Sequence, residues 1–503
     1  MRFTIPFAVV SLGLLGGCSH IFDIAAPKAT PPGPLCAFHR LTLAADTPRS
    51  HPSREGEPAI PAAAATAAPP PAVEQGVPAP ARAGEARTVA DAVEITAARY
   101  RGASPKMLFM SGGSQHGAFG AGLLDEWRRL SGSLPEFRVV TGVSTGSILA
   151  TFAFTGDTEI LVGPRGYGIK RESQLLTPHL NNRGTLGTAL SIPKVIRAGA
   201  VADLGPLRRQ LYDNISMDVL TKVSAGADAD RLLLVGAVDA DAGIGVAFDM
   251  TEMAHRIVHE TNPDRQEQLR NCYVDAILAS SSAPLAAPPV FIDNVMYVDG
   301  GARFGVFSDD FGRVLLKWAR DTKEHKPGTP PPPAEPPAIV YLIVNGTLRL
   351  DPRCGYLECP KDGKVPTLAL DKLAPPHGTW SLPDLGLRSV DILENQVYAL
   401  SAERIDRQTE YSGRALHAAK IGPGEPDHVY QMPPELGLGT GARTCSDWSE
   451  MDERIDHPLQ FHARYMHCLI DYGRSYMRKG LRWDLPDRLQ PEPQPLTDRR
   501  VGE

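Results

Sequence analysis

No run of 18 or more apolar residues occurs in these 503 residues, which excludes a polytopic helical membrane protein. A basic excess is missing too: 52 Lys and Arg stand against 58 Asp and Glu, a formal charge of −6. That balance argues against a nucleic-acid partner. Neither a CxxC pair nor a CxxC…H spacing is present, so zinc is not expected, and no clustered ligands point to calcium. No metal and no cofactor is implied. What the chain does have is 42% apolar residues, enough for a real core, and 46 prolines. The prolines are clustered.

The first cluster follows an export signal. Met1 to Cys18 reads MRFTIPFAVVSLGLLGGC, with one Arg, an apolar stretch from Phe3 to Leu15 and then small residues. It is too short for a stable span and has no stop-transfer pattern behind it. Leu15-Gly16-Gly17-Cys18 resembles the lipobox of bacterial lipoproteins, which implies cleavage after residue 17 and lipidation of Cys18. Ser at position 19, where Asp would favour retention, implies the outer membrane facing the periplasm. Thirteen prolines lie between Pro27 and Pro80. Lacking amide donors, such a stretch reads as a disordered Pro/Ala-rich tether over 18–88, with Leu35 to Leu43 as a piece that could pack on the body. Folded sequence is expected over 89–490, with a Pro-rich insertion at 322–338 and a tail at 491–503. Six further cysteines (36, 272, 354, 359, 445, 468) suit disulfides in an exported protein, and Cys354 with Cys359, around a Gly-containing loop, is the first pair expected.

Three segments carry chemistry. In KMLFMSGGSQHGAFGAGLL (106–124) an apolar strand, Met107 to Met110, runs into Ser111-Gly112-Gly113-Ser114 and a helix from Ala118. Glycines between strand and helix let amides converge on an anion, although a plain tight turn fits equally well. The loop lacks the G-K-[ST] of a Walker A loop. In FRVVTGVSTGSILATFAF (137–154), Gly142-Val143-Ser144-Thr145-Gly146 matches G-x-S-x-G between a strand and a buried helix, the arrangement of a nucleophile elbow. The third segment runs from Val274 to Phe304: a helix ends in ASSSAP, two short strands meet at Asp293-Asn294, and Asp299-Gly300-Gly301 closes the second strand. An Asp before Gly-Gly reads first as a turn residue and only second as catalytic.

The set SGGSQHGAFGAGLL, GVSTGS, ASSSAPLAAPPV and YVDGG, in this order, resembles the patatin-like phospholipase family. Later pieces extend the resemblance: Val340 to Gly346, Arg388 to Gln396 and Phe461 to Trp483. It implies an α/β fold with a parallel sheet and helices on both faces. It also implies a serine acyl-ester hydrolase of lipids, of phospholipase A or lysophospholipase type. Position by position, Ser144 is then the nucleophile, Asp299 its base, and the amides of Gly112, Gly113 and Ser114 the oxyanion hole. Two departures stand out. Ser114 replaces a usual Gly and is expected to keep ordinary backbone angles, and His116 replaces a usual Arg, either as a surface residue or as an auxiliary acid.

Rival readings remain open. A Ser–Asp–His triad would draw on His428, His457 or His462, of which the last two read more naturally as the surface of a terminal helix. An acyltransferase or thioesterase would share the acyl-enzyme, and an inactive lipoprotein would keep the pocket for lipid or protein binding. Asp239 and Asp241 read as a turn rather than a metal site, and residues 154–200 as a candidate lid. The partners expected are a lipid ester and a membrane surface reached through the N-terminal anchor.

Overall fold

In the computed structural model the described residues are 35–43, 86–99, 105–179, 195, 199–323, 338–346, 348, 382–422 and 424–479. Cys18, Cys354, Cys359, most of the Pro-rich insertion and the tail lie outside them.

Chain order begins with β1 (Arg40–Thr42), α1 (Val89–Ala98), β2 (Lys106–Met110), α2 (Gly117–Ser131), β3 (Phe137–Val143) and α3 (Thr145–Thr155). After a cleft-side stretch come α4 (Gly205–Asn214), α5 (Met217–Asp228), β4 (Leu232–Asp239), β5 (Ile244–Asp249), α6 (Met250–His259) and α7 (Pro263–Ser281). Then follow β6 (Val290–Ile292), β7 (Val295–Asp299), α8 (Ser308–Lys323), β8 (Ile339–Val344), α9 (Leu382–Ser412) and β9 (Ala415–Lys420). The hairpin β10 (Val429–Met432) and β11 (Gly441–Thr444) precedes α10 (Cys445–Ile455) and α11 (Ala463–Arg478).

β1 to β9 form one nine-stranded sheet, in the order β1-β5-β4-β3-β2-β8-β9 along its main path. The five strands from β4 to β9 along that path are mutually parallel, while β1, β5, β6 and β7 add antiparallel pairs at the other side. Parallel strands are covered on both faces, which is why they read as unbroken apolar runs. In β2, Leu108 and Met110 pack under α2, α3, α7 and α11, whereas Met107 and Phe109 pack against α1, α8 and α9. Each fully buried side chain of this size contributes about 1.5–3 kcal/mol. The fold class expected from the motifs is thus the one observed.

Several elements carry their own start signals. Thr88 and Asp91 make a capping box for α1, Asp249 caps α6 and Asn262 caps α7. The turn between β6 and β7 needs positive φ at two positions, and Asp293 and Asn294 supply it at +53° and +65°. Asp239 and Asp241 do turn work as expected: the first accepts the Ala242 amide and the second the Met296 amide, both at 2.9 Å.

Packed structure reaches upstream of the boundary drawn at residue 89. Residues 40–42 pair antiparallel with β5, and Cys36 is bonded to Cys272 of α7, 236 residues away. Asp293 accepts the Cys36 and Ala37 amides, and Arg40 donates to the Tyr297 hydroxyl at 2.6 Å. A segment flanked by tether composition is held here by a covalent link and specific polar partners, neither of which leaves a periodic pattern. A second disulfide joins Cys445 to Cys468. The pair expected first, Cys354 with Cys359, lies outside the described residues.

Candidate active site

Sheet register brings the candidate nucleophile and base together. Along one edge of β4, residues 232–236 pair with β3 running parallel, and residues 237–239 pair with β7 running antiparallel. The carboxyl ends of β3 and β7 therefore meet head to head: Val143 lies opposite Gly236 and Asp299 opposite Ala237. Ser144 is the next residue after Val143.

The Ser144 backbone is strained, with φ +54° and ψ −127°, and is held there from three sides. Its amide donates to Ser280 Oγ at 2.8 Å, and Ser280 Oγ donates onward to the Gly236 carbonyl at 2.5 Å. Its carbonyl accepts from the Ser147 amide at 2.8 Å and the Ser147 hydroxyl at 2.6 Å. A methyl group on Gly142 would collide with the Gly146 carbonyl, and one on Gly146 would lie 2.7 Å from the Ser111 carbonyl. That is the physical content of G-x-S-x-G here. α3 starts at the next residue and points its N-terminal dipole at the serine.

Asp299 is 2% exposed. Burial pushes its carboxyl up to about 7, while a hydrogen bond from Ser144 and one from the Gly301 amide pull the other way. The Gly301 N–H donates at 2.6 Å. This is the raised basicity a lone carboxylate needs to take a proton from a serine hydroxyl.

The Gly-rich loop is anchored by β8. The Asn345 amide donates to Ser111 Oγ at 2.9 Å, and its side chain donates to the Ser111 carbonyl at 2.8 Å. Gly113 has φ +144°, with the Gly346 amide 2.5 Å from where a Cβ would sit. Among the described residues, nothing accepts the amide protons of Gly112, Gly113 or Ser114. One expectation about this loop is corrected: Ser114 does not keep ordinary angles but has φ +51°. A Cβ in that region costs roughly 1–3 kcal/mol, and Gln460 holds the residue by donating to Ser114 Oγ at 2.9 Å.

A cleft partly open to solvent runs from Ser114, Ser144 and Asp299 into an apolar channel. Ile148, Phe152, Leu161, Leu175, Leu207 and Leu211 line the channel. Part of the candidate lid is its wall: residues 159–162 form one helical turn, and Tyr167 is buried with its hydroxyl on the Thr145 side chain. Residues 180–194 lie outside the described set.

None of the three late histidines is hydrogen-bonded to Ser144. His428 pairs with Asp471 at 3.0 Å. His462 is not a surface residue of the last helix but its N-terminal flank. It contacts Gln115 beside the loop at 3.1 Å and Glu453 at 2.9 Å. His116 turns its Nδ1 back onto the Gly113 carbonyl at 3.0 Å and does not line the cleft. Two residues of the site were not singled out from the sequence. Ser280 and Asn345 both sit inside quoted motifs, yet only the fold shows that one holds the nucleophile's amide and the other the loop.

The family model described as patatin-like phospholipase matches residues 108–309, a span that holds Ser144, Ser280 and Asp299. No curated protein matches the chain. Among solved structures, VipD from Legionella pneumophila aligns at 12% identity over 48% of this chain, with TM-score 0.25. The alignment covers 50% of VipD, so the chain spans about half the length of that relative.

Proposed function

We propose that this chain, which carries a patatin-like phospholipase domain over residues 108–309, is a serine hydrolase of lipid acyl esters working through a Ser144–Asp299 dyad. The observation that carries the reading is the placement of Ser144 beside a buried, basic Asp299 at the head of one cleft, next to a loop with open amides. Ser144 Oγ attacks the ester carbonyl as Asp299 takes its proton. Charge on the carbonyl oxygen is met by the amides of Gly112, Gly113 and Ser114, where each well-placed donor is worth about 3–4 kcal/mol. Collapse breaks the acyl C–O bond, and Asp299–H protonates the departing alkoxide. Water, with Asp299 again as base, then releases the fatty acid. The apolar channel next to Ser144 suits one acyl chain. A base of modest strength favours ester over amide substrates.

Labelling the purified chain in detergent with a fluorophosphonate tests the dyad. Ser144→Ala should abolish labelling, and Asp299→Asn should slow it by at least about 100-fold. Labelling that survives Asp299→Asn but is lost in a histidine variant would replace the dyad with a triad. An unreactive folded chain would favour the binding-protein alternative. Product analysis in water against added alcohol separates hydrolase from acyltransferase.

A further inference from the structure

α9 delivers one side chain into the heart of the site, and four glycines from three separate segments make room for it. A methyl group on Gly112 would run into the Tyr398 hydroxyl and lie 2.9 Å from Ser144 Cβ. One on Gly301 would lie 2.8 Å from the same hydroxyl and 3.1 Å from Asp299 Oδ1. One on Gly305 would meet the ring edge at 2.8 Å, and one on Gly346 would meet its other edge. The buried Tyr398 hydroxyl thus stands over the two glycines that adjoin the nucleophile and the base. The Glu394 carboxyl, one helical turn earlier, lies beside it, with its Cδ 3.6 Å from the same Gly301 position. Burial, with Glu394 and Asp299 beside it, holds the phenol neutral well above its ordinary range, so it is a donor at every physiological pH.

Glu394 itself lines the cleft together with Ser144 and Asp299. Among the described residues that line it, only Arg165, Asp299 and Glu394 carry charge. Arg165 belongs to the other wall, where its carbonyl takes the Asn214 side-chain amide at the end of α4. The base must face the oxygen of the departing alcohol, so a carboxylate next to the base faces the same alcohol. Like charges in a partly buried site repel strongly, and the phosphate of a glycerol ester, four or five bonds from the scissile oxygen, would still come within about 10 Å of that carboxylate.

We propose that Glu394, aimed into the cleft by Tyr398, selects the leaving alcohol: the site takes acyl esters of neutral or zwitterionic alcohols and disfavours those bearing an uncompensated phosphate. Glu394 is a specificity residue and Tyr398 its positioning residue. This rests on the hydrolase reading and narrows its substrate class.

The test uses one acyl chain on three alcohols, presented at equal mole fraction in neutral detergent micelles: monoacylglycerol, lysophosphatidylcholine and lysophosphatidic acid. The wild type should prefer the first two over the third by at least about tenfold in kcat/KM. Glu394→Gln should erase most of that preference by raising kcat/KM on lysophosphatidic acid relative to the other two esters. Tyr398→Phe, which leaves the ring in its glycine cage, should shift the preference the same way in part. Glu410→Gln, an exposed change of equal charge on the same helix, should leave the ranking alone. Equal effects of Glu394→Gln on all three esters, or none, would overturn the proposal while leaving the hydrolase reading intact. A wild type that cleaves none of the three and leaves Ser144 unlabelled would remove both.

Discussion

Asp299 holds its proton to about pH 7 in the folded chain, against an ordinary value of 3.8, because its carboxyl is fully buried. The native state therefore keeps that proton longer than the unfolded chain does. The stability linked to this group is complete below about pH 4 and is lost progressively as pH rises to about 7. Activity runs the other way, since the base must be ionised, and kcat/KM should rise with pH through about 7. Asp299→Asn should thus abolish turnover yet resist urea better than wild type. The advantage should widen from about pH 4 to 7 and level off above. Urea midpoints at three pH values across that window check this, and a constant offset would contradict burial as the cause. Ser144 could be singled out in the sequence from its own motif, whose glycines have local reasons, whereas Asp299 read as a turn residue until the family resemblance pointed to it. Tyr398 could not be singled out, since its four glycines lie at 112, 301, 305 and 346 and converge only in the fold. Ser114 was misjudged for a related cause: Gln460, which donates to its hydroxyl, lies 346 residues away in the chain.

At the level of elements, the last helix, α11, closes on α2 through a glycine on each side of the crossing. A Cβ at Gly122 of α2 would collide with the Ile470 carbonyl, and one at Gly473 of α11 with the Phe119 carbonyl. Glu126 clamps the same seam through Arg129 and Arg478, which draw its carboxyl down to about 2. Gly473→Ala should cost at least about 2 kcal/mol, because neither backbone can yield. Gly132→Ala, at a left-handed helix end with nothing within 4 Å, should cost only about 1 kcal/mol. Urea titration separates the two, and equal losses would refute a packing seam. Strands β2, β3, β4 and β8 were readable as apolar runs, and α2 and α3 as helical spacing. α9 was not recognised as a 31-residue helix, since its buried Tyr398, Ala402 and Ile405 are few among charged neighbours.

On the scale of the whole molecule, the adjacent parallel strands β2 and β3 put loop and elbow at one carboxyl edge, as the 32-residue spacing from Gly112 to Ser144 implied, and the antiparallel β7 brings Asp299 to the same place. The N-terminal anchor remains a proposal from Leu15-Gly16-Gly17-Cys18. Cells expressing the full chain should incorporate labelled palmitate into it, and Cys18→Ala should abolish the label. Persistent labelling of that variant would place lipidation elsewhere. If Cys18 is the anchor point, the Cys36–Cys272 bond changes the length of the leash. Read from composition, about seventy residues separate bilayer and enzyme. With Cys36 fastened to α7, the sixteen residues 19–34 set the reach, and a chain of that length extends no further than about 55 Å. Residues 44–85 follow β1 in the chain, beyond that attachment point, and add nothing to the reach. The enzyme would graze a narrow circle of the membrane that holds it, and an opposing membrane beyond that radius would be out of range.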